Sequence, residues 1–241
     1  MELNKIINYL NETLKINEIE DASNNGLQVG KNKLIKKVGF AVDATLESFE
    51  KAKAKNCDLL IVHHGISWAD SLKYLTGVNF NRTQFLMKND IALAAYHLPL
   101  DKHEILGHNI HLAKLLKLKN IKPFGVGYSG NLPKQVSTKG IAKYLDKHLK
   151  TECKVYNYGK AFNESVAIVC GTGGDSELVY QASKFADCYI VGDSKYSAYL
   201  TAKELGINVI TAGHYETETL GLKAIMDVVN RKFKVDVAFI E

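Results

Sequence analysis

Six residues in this chain have the types and spacing to hold metal. His63 and His64 follow directly on the apolar run Leu59 to Val62 and precede Gly65. His97 and Asp101 follow Ile91 to Tyr96, and His214 and Glu218 follow Val209 to Ala212, each pair four residues apart. Neutral imidazole is the commonest protein metal ligand, and carboxylate oxygens complete sites for divalent ions. Consecutive side chains diverge, so two adjacent histidines suit two ions better than one; the alternative is a pair of loop histidines bonded to backbone. If a helix starts at His214, positions i and i+4 share a face and both side chains can enter one site. Mixed nitrogen and oxygen donors without thiolate disfavour a structural zinc knot and favour Zn, Fe, Mn, Co or Ni with open positions. Two ions sharing a carboxylate would lower the pKa of bound water towards about 7, which points to hydrolysis.

The elements that must carry these residues are strands. Val38 to Val42, Leu59 to Val62, Ile91 to Tyr96, Val166 to Cys170, Tyr189 to Val191, Val209 to Ala212 and Val235 to Ile240 read as buried strands, with helical spacing between several of them. Alternating strands and helices predict an α/β protein with largely parallel sheets. Functional groups of such sheets collect beyond the carboxyl ends of the strands, where all three pairs fall. A weak repeat relates Val38 to His63 and Ala167 to Gly192 at an offset of 129 residues, each with an aspartate (Asp58, Asp187) before its second strand. It predicts two related α-β-α lobes, unless similar strand-helix-strand units resemble one another by chance. Lys122 to Gly140 is the densest cluster of turn residues and the best boundary. If the last helix and strand return to the first lobe, that lobe comprises residues 1–125 plus 206–241, and the second, residues 126–205, is inserted into it.

The chain has 241 residues, 46% apolar and 24% charged, which excludes disorder and collagen-like repetition and leaves enough core to fold without staples. The amino end lacks an export signal, no apolar run is long enough to span a bilayer, and four scattered cysteines suit a reduced, cytoplasmic protein. A net charge of +5 favours an anionic partner, a phosphate-bearing small molecule or nucleic acid, or else reflects solvated helix faces. Three features have two readings each. Gly171 to Ser176 (GTGGDS) could cradle phosphate or form a tight turn capped by Asp175 or Ser176. Asp43 and Thr45 could serve the site or a helix N-cap, and Trp68 could stack on a purine or pack a lid.

The motifs NGLQVG (Asn25 to Gly30), HHG (His63 to Gly65) with Trp68 behind it, AAYHLPLD (Ala94 to Asp101), GHN (Gly107 to Asn109), GDSK (Gly192 to Lys195) and GHYETE (Gly213 to Glu218) resemble the Nif-three-like family, also called GTP cyclohydrolase 1 type 2 homologues. The resemblance covers nearly the whole chain. It implies a dinuclear site: His64 and Asp101 on one ion, His63 and His214 on the other, Glu218 bridging both, and His97 beside them as a substrate or proton-transfer residue. It also implies two-lobed chains assembled into homohexameric rings, and GTP ring opening with formate release as the family-named reaction. One position departs from the pattern, since many members carry a histidine where this chain has Ser197, which cannot transfer protons near neutral pH. The expected function is therefore a dinuclear, metal-dependent hydrolase of a nucleotide-like substrate, with His97 and Glu218 catalytic. The alternative is a basic oligomeric protein that binds DNA or another anionic partner, with metals mainly structural.

Overall fold

The apolar runs form strands and the segments between them helices, in a chain that divides into two compact units: Met1–His103 with Gly221–Glu241, and Glu104–Leu220. The computed structural model describes residues 1–241. From the amino end the order is α1 (Leu3–Thr13), β1 (Gly26–Val29), β2 (Lys37–Asp43), α2 (Leu46–Ala54), β3 (Leu59–His64), α3 (Gly77–Lys88), β4 (Ala92–Ala95) and α4 (Leu98–Lys102). Then come α5 (His108–Leu115), β5 (Lys119–Phe124), β6 (Gly127–Val136), α6 (Thr138–Leu149), β7 (Lys154–Tyr156), β8 (Asn163–Gly174), α7 (Ser176–Ser183), β9 (Cys188–Ser194), α8 (Tyr196–Leu205), β10 (Asn208–Thr211) and α9 (His214–Thr217). The chain ends in α10 (Thr219–Phe233) and β11 (Asp236–Phe239). No helix is long and apolar enough to cross a membrane.

In the first unit the sheet order is β1-β4-β3-β2-β11, with β4, β3, β2 and β11 parallel and β1 antiparallel at the edge. Helices cover parallel strands, which is why β2 and β3 are near-continuous apolar runs rather than alternating ones. Phe49 from α2, Leu86 from α3 and Leu60, Val62 and Leu93 from the sheet share one buried cluster. Each such side chain contributes about 1.5–3 kcal/mol by leaving water. Helix α2 starts at Thr45, whose hydroxyl accepts from Ser48 N at 3.1 Å while Ser48 Oγ accepts from Thr45 N at 2.9 Å. That capping box gives the N-cap role to Thr45 and leaves the Asp43 carboxylate for other work.

In the second unit the order is β5-β6-β8-β9-β10-β7. Its centre, β8-β9-β10, is parallel, and the outer strands pair antiparallel. The breaks between units fall at 103/104 and 220/221 rather than at 125/126 and 205/206. The turn-rich stretch expected at the boundary builds the β5–β6 hairpin inside the second unit, with Phe124 opposite Gly127. Gly125, at φ +57°, takes the left-handed turn position. A Cβ on Gly127 would overlap the Ile168 carbonyl of β8, so this glycine permits close strand approach rather than chain flexibility.

The repeat has structural content. Asp58 Oδ2 accepts from Lys36 N (2.7 Å) and Lys37 N (2.9 Å), closing the start of β2 onto β3. Asp187, 129 positions on, accepts from Glu164 N (2.9 Å) and Ser165 N (3.1 Å) at the start of β8. At the other end of the same strands, Asp43 is the register partner of His64, and Thr172 of Asp193, again 129 apart. Both units thus present polar residues at matching carboxyl ends.

Candidate metal centre

The expected ligands fall into two sets, one per unit. In the first, β3 ends on His63 and His64, and β4 runs out through Tyr96 into His97, the N-cap of α4. Pro99 at the start of α4 fits the first helical turn, where a missing N–H costs nothing. One turn on, Asp101 is buried, its N–H bonded to His97 O at 3.1 Å. The ligand atoms of His63, His64 and His97 all lie within 4.8 Å of one another. His63 Nε2 stands 3.5 Å from Asp101 Oδ2.

Each imidazole is anchored at Nδ1 by an oxygen. Fully buried His63 donates to Tyr96 O at 2.9 Å. His64 donates to Asp43 Oδ1 at 2.9 Å, the cross-strand neighbour set by the β2–β3 register. His97 donates to Asp21 Oδ1 at 2.9 Å. A carbonyl or carboxylate oxygen can only accept, so the Nδ1–H tautomer is fixed and the lone pair sits on Nε2. Metal-binding histidines are oriented and made more basic in this way.

In the second unit, His214 opens α9 and Glu218 follows its end, one turn apart, with Nε2 to Oε1 at 3.1 Å. His214 Nδ1 donates to Asp193 Oδ2 at 2.9 Å, and Thr172 Oγ1 lies 3.1 Å from the same nitrogen. The Glu218 hydrogen bond outweighs burial, which acts the other way, and the charges of Glu218 and Asp193 add to it; His214 is pushed up to about 9. At neutral pH its Nε2 therefore holds a proton that a metal would displace. Gly171, at φ +65°, passes so close to Glu218 that a Cβ would overlap the carboxylate. Thr217 Oγ1 accepts from Gly171 N at 3.1 Å, and Asn109 Oδ1 from Cys170 N at 2.7 Å. The GTGGDS segment thus completes β8 and seats Glu218, while Asp175 caps α7 through Leu178 N at 2.8 Å. Ser197 is exposed on the first turn of α8.

Of the carboxylates that hold the imidazoles, sequence reasoning offered Asp43 for the site or a helix N-cap and missed Asp21 and Asp193. Asp193 had a signal, since it stands 129 positions after His64, but Asp21 had none. Gln28 of the NGLQVG motif is a clamp: its Oε1 accepts from Ile66 N (2.8 Å) and Ser67 N (3.1 Å), and its Nε2 donates to Asn24 O (2.9 Å) and Ser67 O (3.2 Å). That binds the loop after HHG to the segment before β1. Trp68, in this loop, donates Nε1–H to Gly65 O at 2.8 Å and meets the His97 ring edge-on with centroids 4.9 Å apart.

The family model for Duf34/NIF3 (NGG1p interacting factor 3) matches residues 1–241. A protein of Pyrococcus abyssi named GTP cyclohydrolase 1 type 2 homolog is 40% identical over 248 aligned positions, covering 100% of this chain and 98% of that one. The protein of that name from Archaeoglobus fulgidus is 36% identical over 247, with 100% and 98% covered. Among solved structures, TTHA1606 from Thermus thermophilus superposes with TM-score 0.93 at 35% identity, covering 100% of this chain and 98% of that one. Reduced HcgD from Methanocaldococcus jannaschii superposes with TM-score 0.90 at 29% identity, with the same coverage.

Proposed function

The chain belongs to the Duf34/NIF3 family, and from that premise we propose that it is a dinuclear, metal-dependent hydrolase acting on a nucleotide-like substrate. The observation that carries the reading is the common anchoring of four imidazoles at Nδ1, which presents four Nε2 atoms for work. Nitrogen and carboxylate donors without thiolate fit Zn, Fe, Mn, Co or Ni. In this reading His63, His64, Asp101, His214 and Glu218 would hold the ions, with His63 and Asp101, 3.5 Å apart, on the same one and Glu218 shared between the two. Metal bound there would supply an activated water at neutral pH and polarise the group under attack. His97, beside the imidazoles of β3 but outside that ligand set, handles protons. The names of the relatives support a nucleotide substrate, GTP first among those to try.

Metal analysis combined with a nucleotide screen tests the reading. Wild-type protein is expected to carry about two divalent ions per chain, Glu218→Ala to lose both, and His64→Ala to lose turnover. Equal turnover by wild type and His64→Ala would locate the activity elsewhere, and retention of both ions by Glu218→Ala would remove the bridge.

A further inference from the structure

Asp21 lies outside every motif that points to the site, yet its carboxylate is 2% exposed and takes four hydrogen bonds. They come from His97 Nδ1 (2.9 Å), Leu98 N (2.9 Å), Ser23 N (3.0 Å) and Asn25 Nδ2 (2.9 Å). Asn25 Oδ1 also accepts from His97 N at 2.7 Å, so one short segment fixes both the backbone and the ring of His97. The carboxylate that holds His64 is different in kind, since Asp43 is half-exposed. Burial alone would raise the Asp21 pKa, but its hydrogen bonds, that from His97 foremost, hold it at about 2. A carboxylate so held stays ionised and does not rotate away. Trp68 stands edge-on to the same ring.

We propose that Asp21 is a positioning residue that makes His97 the proton-transfer group of the site, working through Nε2. The inference rests on the hydrolytic reading above and deepens it. As water attacks the substrate carbon, one O–H bond breaks, its electron pair stays with oxygen, and the proton goes to His97 Nε2. Asp21 accepts no proton; it stabilises the imidazolium through Nδ1–H. Nε2 then gives the proton to the leaving atom as its bond to carbon breaks and that atom keeps the bonding pair. The cycle returns His97 to its starting tautomer, and no further reactant is needed.

The test is ¹⁵N NMR of the ring nitrogens in the full, metal-free chain under alkaline conditions that leave imidazole neutral. His97→Gln identifies the signal. Wild type is expected to show His97 protonated at Nδ1 only. In Asp21→Asn the side-chain amide can donate to Nδ1, so the proton moves to Nε2 and turnover falls by about 10²–10⁴-fold with metal content unchanged. The same His97 tautomer in both proteins, or a wild-type proton on Nε2, would overturn the role of Asp21. So would a metal-coordination shift of His97 Nε2 on adding Zn²⁺, which would make His97 a ligand. The wild-type spectrum decides even if the variant does not fold. Absence of nucleotide turnover in wild type defeats the hydrolase reading separately, because the tautomer is read without activity.

Discussion

At the scale of single residues, the centre is built from pairs in which an oxygen fixes a ring and the ring offers its far nitrogen. Asp21 is the most buried of the three anchoring carboxylates, and its pair with His97 carries a pH signature. The folded pKa of Asp21 is depressed from 3.8 to about 2, so its contribution to stability is present above about pH 4 and is lost as pH falls through about 2. The size, allowing for solvent screening, is about 1–2 kcal/mol. Asp21→Asn should thus be less stable than wild type by that amount in urea at pH 6, with the gap narrowing between pH 4 and 2. A gap that stays constant across this range would mean that the charge of Asp21 does not stabilise the fold.

At the scale of elements, loops and strand ends do the positioning, and two substitutions test them apart. Gln28 ties the loop after β3 to the segment before β1 through four hydrogen bonds. Gln28→Ala leaves the Ile66 and Ser67 amides without their acceptor and should cost about 1–3 kcal/mol. Proteolysis of the native protein should then cut faster around residues 65–69, and an unchanged cleavage rate would show that the loop is held by other means. Gly171→Ala places a methyl against the Glu218 carboxylate at a left-handed backbone position, at about 1–3 kcal/mol of strain. Equilibrium dialysis should find weaker metal binding in this variant; wild-type affinity would mean that Glu218 tolerates displacement. Much of this layer was legible in the sequence. The strands after which the histidines come are long apolar runs, and the 129-residue offset pairs Asp58 with Asp187 and His64 with Asp193. What was not legible has physical reasons. Asp21 reaches His97 across 76 positions through a loop, where no periodicity exists to announce a partner. The glycines of 122–140 read as a boundary because close strand approach and chain flexibility call for the same residue.

At the scale of the molecule, the proposed ligands come from both units: His63, His64 and Asp101 from Met1–His103, His214 and Glu218 from Glu104–Leu220. Neither unit needs metal to build its core, since each has its own buried apolar cluster. Metal should therefore stabilise a chain that is already folded, by RT ln(1 + [M]/Kd), about 2.7 kcal/mol at 100 times Kd, with Tm rising as metal is added. Where that protection appears separates two arrangements. If the proposed ligand assignment holds, hydrogen exchange should slow at the ends of β3 and β4 and along α9 over the same range of metal concentration, and Glu218→Ala should abolish both responses. If His63, His64 and His97 form a site of their own, only the ends of β3 and β4 should respond, and Glu218→Ala should leave that response intact. The second outcome would overturn the proposed ligand assignment while leaving the Nδ1 anchors in place, because those hydrogen bonds lie within single units.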